Sequence, residues 1–169
     1  ANLLKGKSDG DEGGIFKYSA RAYMQLDFNR AVQESRTREI NLPQRHIQIC
    51  KDSYSLHKFL DVYRVHKRFA LDIETVKAIP VCIAIAPSPD IVISVQLANL
   101  DGAGYRIADH ELAEMRCLIT EFLQDHSREF IGQNWKFDQQ KLESVYGIRM
   151  GKLFADTMLL SSVVNPEFP

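Results

Sequence analysis

FALDIET, Phe69 to Thr75, is the stretch on which the fold turns. Its apolar residues alternate with others as in a half-buried strand, yet it carries two acids, Asp72 and Glu74, two positions apart. Side chains in a strand alternate between faces, so both carboxylates point the same way with Cα atoms about 6.7 Å apart. Like charges crowded on one face repel, which raises the question of what neutralises them.

Outward from this stretch the periodicity alternates between strand and helix, the pattern of an α/β domain. HIQIC (His46 to Cys50) reads as a short strand. Asp52 or Ser53 can then cap a helix that turns Leu56, Phe59, Leu60 and Tyr63 inward. VCIAIA (Val81 to Ala86) and IVISVQL (Ile91 to Leu97) follow FALDIE as strands, and PSPD (Pro87 to Asp90) is turn chemistry. The connections among these three strands are too short for helices, which predicts antiparallel neighbours. Asp109 is placed to cap a helix to about Gln124, with Leu112, Met115, Ile119 and Phe122 on one face and Glu111 and Glu114 in its first turn. EFIG (Glu129 to Gly132) is a brief strand, Asn134 opens a helix that ends near Gly147, and a last helix begins near Asp156.

The second informative stretch is IGQNWKFDQQKL, Ile131 to Leu142, where strand gives way to helix. Asn134 and Asp138 stand four apart, so on a helix they share a face near its N-terminal end. Phe137, Leu142, Val145 and Tyr146 are expected to pack this helix on the sheet, which would bring Asp138 beside Asp72 and Glu74.

The chain has 169 residues, enough for one substantial core, and its 45% hydrophobic and 25% charged residues are those of a soluble globular domain. No apolar run approaches the roughly 20 residues of a membrane span, and nothing at the N-terminus reads as a signal peptide. Cys50, Cys82 and Cys117 are widely spaced with no paired Cys-x-x-Cys, which indicates neither a disulfide framework nor a zinc site. A reducing, cytoplasmic compartment is the expectation. A net charge of -1 excludes the strongly basic footprint of a tight nonspecific duplex binder but not nucleic acid as substrate. Residues 1–45 carry eight Lys+Arg and six Asp+Glu, a balance of +2, and 46–169 carry thirteen and sixteen, a balance of -3. Residues 1–45 read as a leader and linker, with a helix-compatible stripe from Ser19 to Gln33, and 46–169 as the domain proper. The start at Ala1 and the stop at VVNPEFP suggest a piece of a longer polypeptide.

Three converging carboxylates are costly unless a cation offsets them. Clustered Asp and Glu, without thiolates or paired histidines, suit hard divalent ions such as Mg²⁺ or Mn²⁺. Two such ions about 3.5 to 4 Å apart can stabilise both the attacking and the leaving oxygen of a phosphoryl transfer.

FALDIET, then GQNWKFD, then FADTMLLSSVVNP (Phe154 to Pro166), resembles the 3′-to-5′ proofreading exonuclease domain of family A DNA polymerases, the DNA polymerase I type, within the DEDD exonuclease superfamily. The resemblance covers roughly His46 to Pro169. Asp-x-Glu alone is weak; GQNWKFD is specific, and FADTM at its distance strengthens it. The resemblance implies an RNase H-like mixed β-sheet with flanking helices, acting on the 3′ end of single-stranded DNA with two Mg²⁺ or Mn²⁺ ions. The remainder of a DNA polymerase chain is the implied partner. It further implies that Asp72 bridges two metals, that Glu74 holds the first of them near the terminal 3′-hydroxyl, and that Asp138 serves the second. Thr75 would contact the terminal nucleotide, and Asn134 and Phe137 would line the path of the strand.

In that family a Tyr-x-x-x-Asp motif follows the FDTM segment and supplies a fourth carboxylate; this sequence ends before it. Tyr23 with Asp27 and Tyr105 with Asp109 have the spacing but lie on the wrong side of GQNWKFD. The expectation is a C-terminally incomplete domain with weak or no activity alone. Two other readings stand beside it: a noncatalytic nucleic-acid-binding or structural module on the same fold, and an RNA exonuclease of the ribonuclease D type. His46, His57, His66, His110 and His126 show no metal-binding spacing.

Overall fold

The structure, a computed structural model, describes residues 13–36, 43–100 and 106–164. Most of the expected leader and residues 37–42 of the expected linker lie outside the described residues, as do Tyr105 and Pro166. The chain divides into two compact units, Pro43–Leu160 and a smaller one of Ala1–Leu42 with Ser161–Pro169. The smaller unit contains α1 (Gly13–Glu34), longer than the stripe in the sequence and closed near its end by an exposed Arg30–Glu34 ion pair at 2.7 Å.

The larger unit is an α/β domain built on a six-stranded mixed sheet. Along the chain come β1 (His46–Ile49), α2 (Ser53–Val62), β2 (Arg68–Val76), β3 (Ile79–Ser88), β4 (Ile91–Gln96), α3 (Asp109–Gln124), β5 (Glu129–Gly132), α4 (Trp135–Tyr146), β6 (Lys152–Asp156) and the start of α5 (Thr157–Val164), of which residues 157–160 belong to this unit. The spatial order is β1-β4-β3-β2-β5-β6. β2, β3 and β4 form the expected antiparallel meander, and β1, β5 and β6 are parallel to their neighbours. β6 was not expected as a strand: only five residues long, it has an exposed or half-buried face until Asp156 and no clean alternation to reveal it.

Burial explains the elements. Phe69, Leu71 and Ile73 on β2, with Ile83 and Ile85 on β3 and Ile93 and Val95 on β4, form one continuous apolar face. Leu56 and Phe59 of α2 and Leu112, Met115, Ile119 and Phe122 of α3 join them in the core, as their spacing predicts. An aromatic chain runs Phe69, Phe122, Phe130, Trp135, with successive centroids 4.9, 5.6 and 6.0 Å apart. Beside the N-terminal end of β2, the buried Glu129 joins three strands: it accepts from Lys152 Nζ at 2.7 Å and Arg68 Nε at 3.0 Å.

The helix starts differ from expectation in an informative way. Asp52 does cap α2, its Oδ1 accepting from Ser55 N–H at 2.7 Å. A second carboxylate reaches the same helix end from α3, where Glu111 Oε2 accepts from Ser53 N–H at 2.8 Å. Asp109, by contrast, caps nothing: Ala108 is the N-cap of α3, with no side-chain cap, and Asp109 sits one residue inside, where the helix dipole still favours an acid.

Candidate nuclease site

β2 places Asp72 and Glu74 on the face opposite Phe69, Leu71 and Ile73, both exposed, as the alternation requires. β2 pairs with β5 only from Arg68 to Ala70. Beyond Ala70 the two strands part, and the acids lie where β5 turns away into α4. The close approach there is made by Gly132: a Cβ on it would stand 3.7 Å from the carbonyl oxygen of Leu71, the residue before Asp72, and only 2.8 Å from Cε3 of Trp135. In open α/β sheets, ligands bind outside the carboxyl ends of strands where neighbours diverge. Directly after Glu74 the β2–β3 register shifts, Glu74 pairing with Cys82 and Thr75 with Pro80, a bulge of the kind that re-aims side chains beside functional sites. Thr75 at this bulge is half-buried.

Asn134 is not a helical residue. It is the N-cap of α4 in the left-handed conformation, φ +54 and ψ 45, and its side chain makes no cap. Asn is among the few residues that accept this region at modest cost. The expected shared helical face of Asn134 and Asp138 is therefore replaced by a different one: Trp135, Asp138 and Leu142, at spacings of three and four, are the buried residues of α4. Of the residues expected to pack this helix, Leu142 does and Tyr146 does in part, its hydroxyl donating to the Pro80 carbonyl at 2.6 Å. Phe137 and Val145 are instead 40% and 41% exposed: Phe137 sits off the 135–138–142 stripe, whereas Val145 continues it but lies in the last turn of the helix. The Phe137 ring carries the Lys141 ammonium 5.5 Å from its centroid.

Asp138 is the anomaly of the site. It is 3% exposed, and its Oδ2 is buried with no hydrogen-bond partner. Burial, and then the charges of Asp72, Asp156 and Glu74, push its pKa up to about 7. The three expected acids thus share one electrostatic neighbourhood, although among the described residues no three His, Cys, Asp or Glu side chains are gathered tightly enough to hold one ion. Charge and donor chemistry fit a hard divalent cation: an orphaned buried carboxylate oxygen on Asp138 in the negative field of Asp72, Asp156 and Glu74. A groove of about 670 Å³ opens elsewhere, lined by Arg45, His46, Tyr54, Lys58 and Tyr63 among others; none of the acids lines it.

Of two further residues near the acids, Cys82 was not marked by sequence reasoning, whereas Asp156 was expected at the start of the last helix and, through the resemblance, near the site but outside its metal carboxylates. Cys82, half-buried, stands opposite Glu74 on the ladder, where burial raises its pKa and the charges of Glu74 and Asp72 add to that. Asp156, 7% exposed, accepts through Oδ1 from Asn134 N–H at 3.0 Å and through Oδ2 from Trp135 N–H at 2.9 Å. Its Oδ1 also accepts from Met158 N–H at 3.0 Å and Leu159 N–H at 3.5 Å, at the start of α5. Burial pushes this carboxyl up, but the four backbone donors outweigh it and leave its pKa below the ordinary value. The signal was present in the sequence as an Asp at the N-cap position of FADTM.

The sheet, its flanking helices and the acids at the parting strands define an RNase H-like domain of the exonuclease class. Residues 47–167 match the 3′-5′ exonuclease family, and the chain belongs to it. No curated protein sequence matches the chain. Among solved structures, the exonuclease domain of EXD2 soaked in Mg and dGMP is similar at 16% identity and TM-score 0.53, over 71% of this chain and 61% of that one. The same domain soaked in Mn and GMP aligns at 15% identity and TM-score 0.52, over 70% of this chain and 60% of that one. The chain therefore spans about 60% of the length of these structures. Among the described residues no helix is long and apolar enough to cross a membrane.

Proposed function

We propose that residues 46–169 form the 3′-5′ exonuclease domain of a family A DNA polymerase, trimming the 3′ end of single-stranded DNA, with Asp72, Glu74 and Asp138 as the residues that hold two Mg²⁺ or Mn²⁺ ions. The observation that carries this reading is Asp138, a buried carboxylate with an unpartnered oxygen in the field of Asp72 and Glu74. Bound divalent ions supply the positive charge that stabilises the attacking and leaving oxygens in phosphodiester hydrolysis. The protein's own part is to fix the carboxylates on rigid elements: Asp72 and Glu74 on a core strand, Asp138 in the first turn of a helix anchored by Trp135. Thr75 and Asn134 flank the acids and are the residues we assign to the terminal nucleotide and the strand's path. The exposed Phe137 ring with Lys141 offers a stacking face and a cation for one base and its phosphate, the combination by which single strands are held. The GQNWKFD and FADTM segments favour the polymerase setting.

Calorimetry with Mn²⁺, followed by dGMP in the presence of Mn²⁺, tests this reading. Mn²⁺ binding that is lost in Asp72→Ala and in Asp138→Ala is expected. Wild-type protein that binds no Mn²⁺, or binds it unchanged in both variants, overturns the reading in favour of a noncatalytic module. Tighter binding of an RNA than of a DNA 3′ end would move the assignment to the ribonuclease D type.

A further inference from the structure

The start of α4 has no cap of its own. Asn134 is left-handed and its side chain bonds to no backbone N–H of the helix. The cap comes instead from 22 residues downstream, where Asp156 ends β6 and takes the N–H groups of both Asn134 and Trp135. The same carboxylate holds the first N–H groups of α5. A neighbouring bond, from Thr157 Oγ1 to the Gly132 carbonyl at 3.3 Å, ties the α5 start to the end of β5. β5, α4, β6 and α5 thus meet at one buried anion. Three residues beyond Trp135, on the same buried stripe, is Asp138.

We propose that Asp156 is a positioning residue of the nuclease site: by holding Asn134 in its left-handed turn and fixing the first N–H of α4, it sets the direction in which Asp138 is presented to the metal. This rests on the assignment of Asp138 as a metal ligand made above. The case for positioning rather than general stability is specificity of contact. Two of the four bonds go to the two residues that define where α4 begins, and the helix has no alternative cap. Charged caps are strong hydrogen bonds, and the residues that orient metal ligands commonly alter metal affinity by 10- to 100-fold when changed.

The test compares Asp156→Asn with Asp156→Ala in the 169-residue chain. Asn keeps one oxygen for Asn134, Met158 and Leu159 and turns an amide towards the Trp135 N–H. Mn²⁺ affinity is expected to fall roughly tenfold in Asp156→Asn, with an unchanged far-ultraviolet circular dichroism spectrum. Amide chemical shifts and hydrogen exchange across Asn134 to Asp138 are expected to change without metal. Asp156→Ala is expected to lose more of both, and if it does not fold, Asp156→Asn alone decides. Unchanged Mn²⁺ affinity in Asp156→Asn overturns the proposal. If the wild-type chain binds no Mn²⁺, it is the functional reading that fails. The amide signals then decide the structural half: unchanged shifts and exchange at Asn134 to Asp138 overturn it also.

Discussion

Glu74 stands directly opposite Cys82 across the β2–β3 ladder, so the carboxylate and the thiol lie on the same face of the sheet. The other thiols are elsewhere: Cys50 is buried, its Sγ 3.2 Å from the Asp52 carbonyl, and Cys117 is exposed. Burial pushes the Cys50 thiol up to about 11, and it raises Cys82 as well. Iodoacetamide at neutral pH is therefore expected to label Cys117 first, Cys82 slowly and Cys50 only on unfolding, read by peptide mass spectrometry. Label on Cys82 is expected to weaken Mn²⁺ binding, and bound Mn²⁺ to slow the labelling. Equal labelling of Cys82 with and without Mn²⁺ would count against a metal beside Glu74.

Asp138 gives the metal-free protein a signed pH dependence. Its folded pKa is about 7 against an ordinary 3.8, so between these values the folded state holds a proton that the unfolded chain has released. Stability from this group falls as pH rises through that window. Thermal melts in a chelator should show Tm decreasing from pH 5 to 8. Asp138→Asn should flatten that decrease and raise Tm at pH 8. In the wild type, Mn²⁺ at about 100 times its Kd should add about 2.7 kcal/mol, and in Asp138→Asn it should add little. A wild-type Tm that rises over this pH range would contradict the assignment.

Gly132 is where the site's two halves touch. A methyl group there meets the Trp135 ring at 2.8 Å, and Trp135 is 5% exposed and stacked on Phe130. Gly132→Ala is expected to cost about 1 to 3 kcal/mol in urea unfolding, as overpacking typically does, and to displace the start of α4. Gly151→Ala should cost more, since the new Cβ would lie 2.5 Å from the Leu123 carbonyl oxygen, which is backbone and cannot swing away.

The β2–β3 hairpin turns through Lys77 and Ala78, both left-handed at φ 49 and 68. Two-residue hairpin loops favour this conformation, but usually on Asn-Gly. Ala78→Gly is expected to stabilise by about 0.5 to 1 kcal/mol net, relief of the Cβ strain offset partly by a looser unfolded chain. A shift of the urea midpoint to higher concentration would show it, and Ala78→Val should shift it the other way.

The meander was legible because FALDIE, VCIAIA and IVISVQL alternate cleanly and their loops are short; α2 and α3 were legible because their apolar residues recur at helical spacing. Three features were not. β6 lacks alternation because only Asp156 at its end is buried. The inward stripe of α4 was misjudged because one of its members, Asp138, is charged, and a charged residue in a buried stripe is invisible to a hydrophobicity count. The cap of α4 could not be found locally because it comes from Asp156, across two strands that only tertiary structure brings together. The acids themselves were visible as a same-face pair and a first-turn carboxylate. What the sequence could not supply was that Asp138 is buried with an unpartnered oxygen while Asp72 and Glu74 remain exposed.

The parting of β2 from β5 has a mechanical side. Arg68 and Phe69 are paired with β5 alone, Ala70 with both β5 and β3, and from Leu71 onward only β3 holds the strand. Asp72 and Glu74 thus stand just past the point where β2 passes from one neighbour to the other. Their backbone needs no ladder bond to β5, which leaves that flank of the strand open beside the two carboxylates. Anchorage at one end and an open edge at the other are supplied by one nine-residue strand.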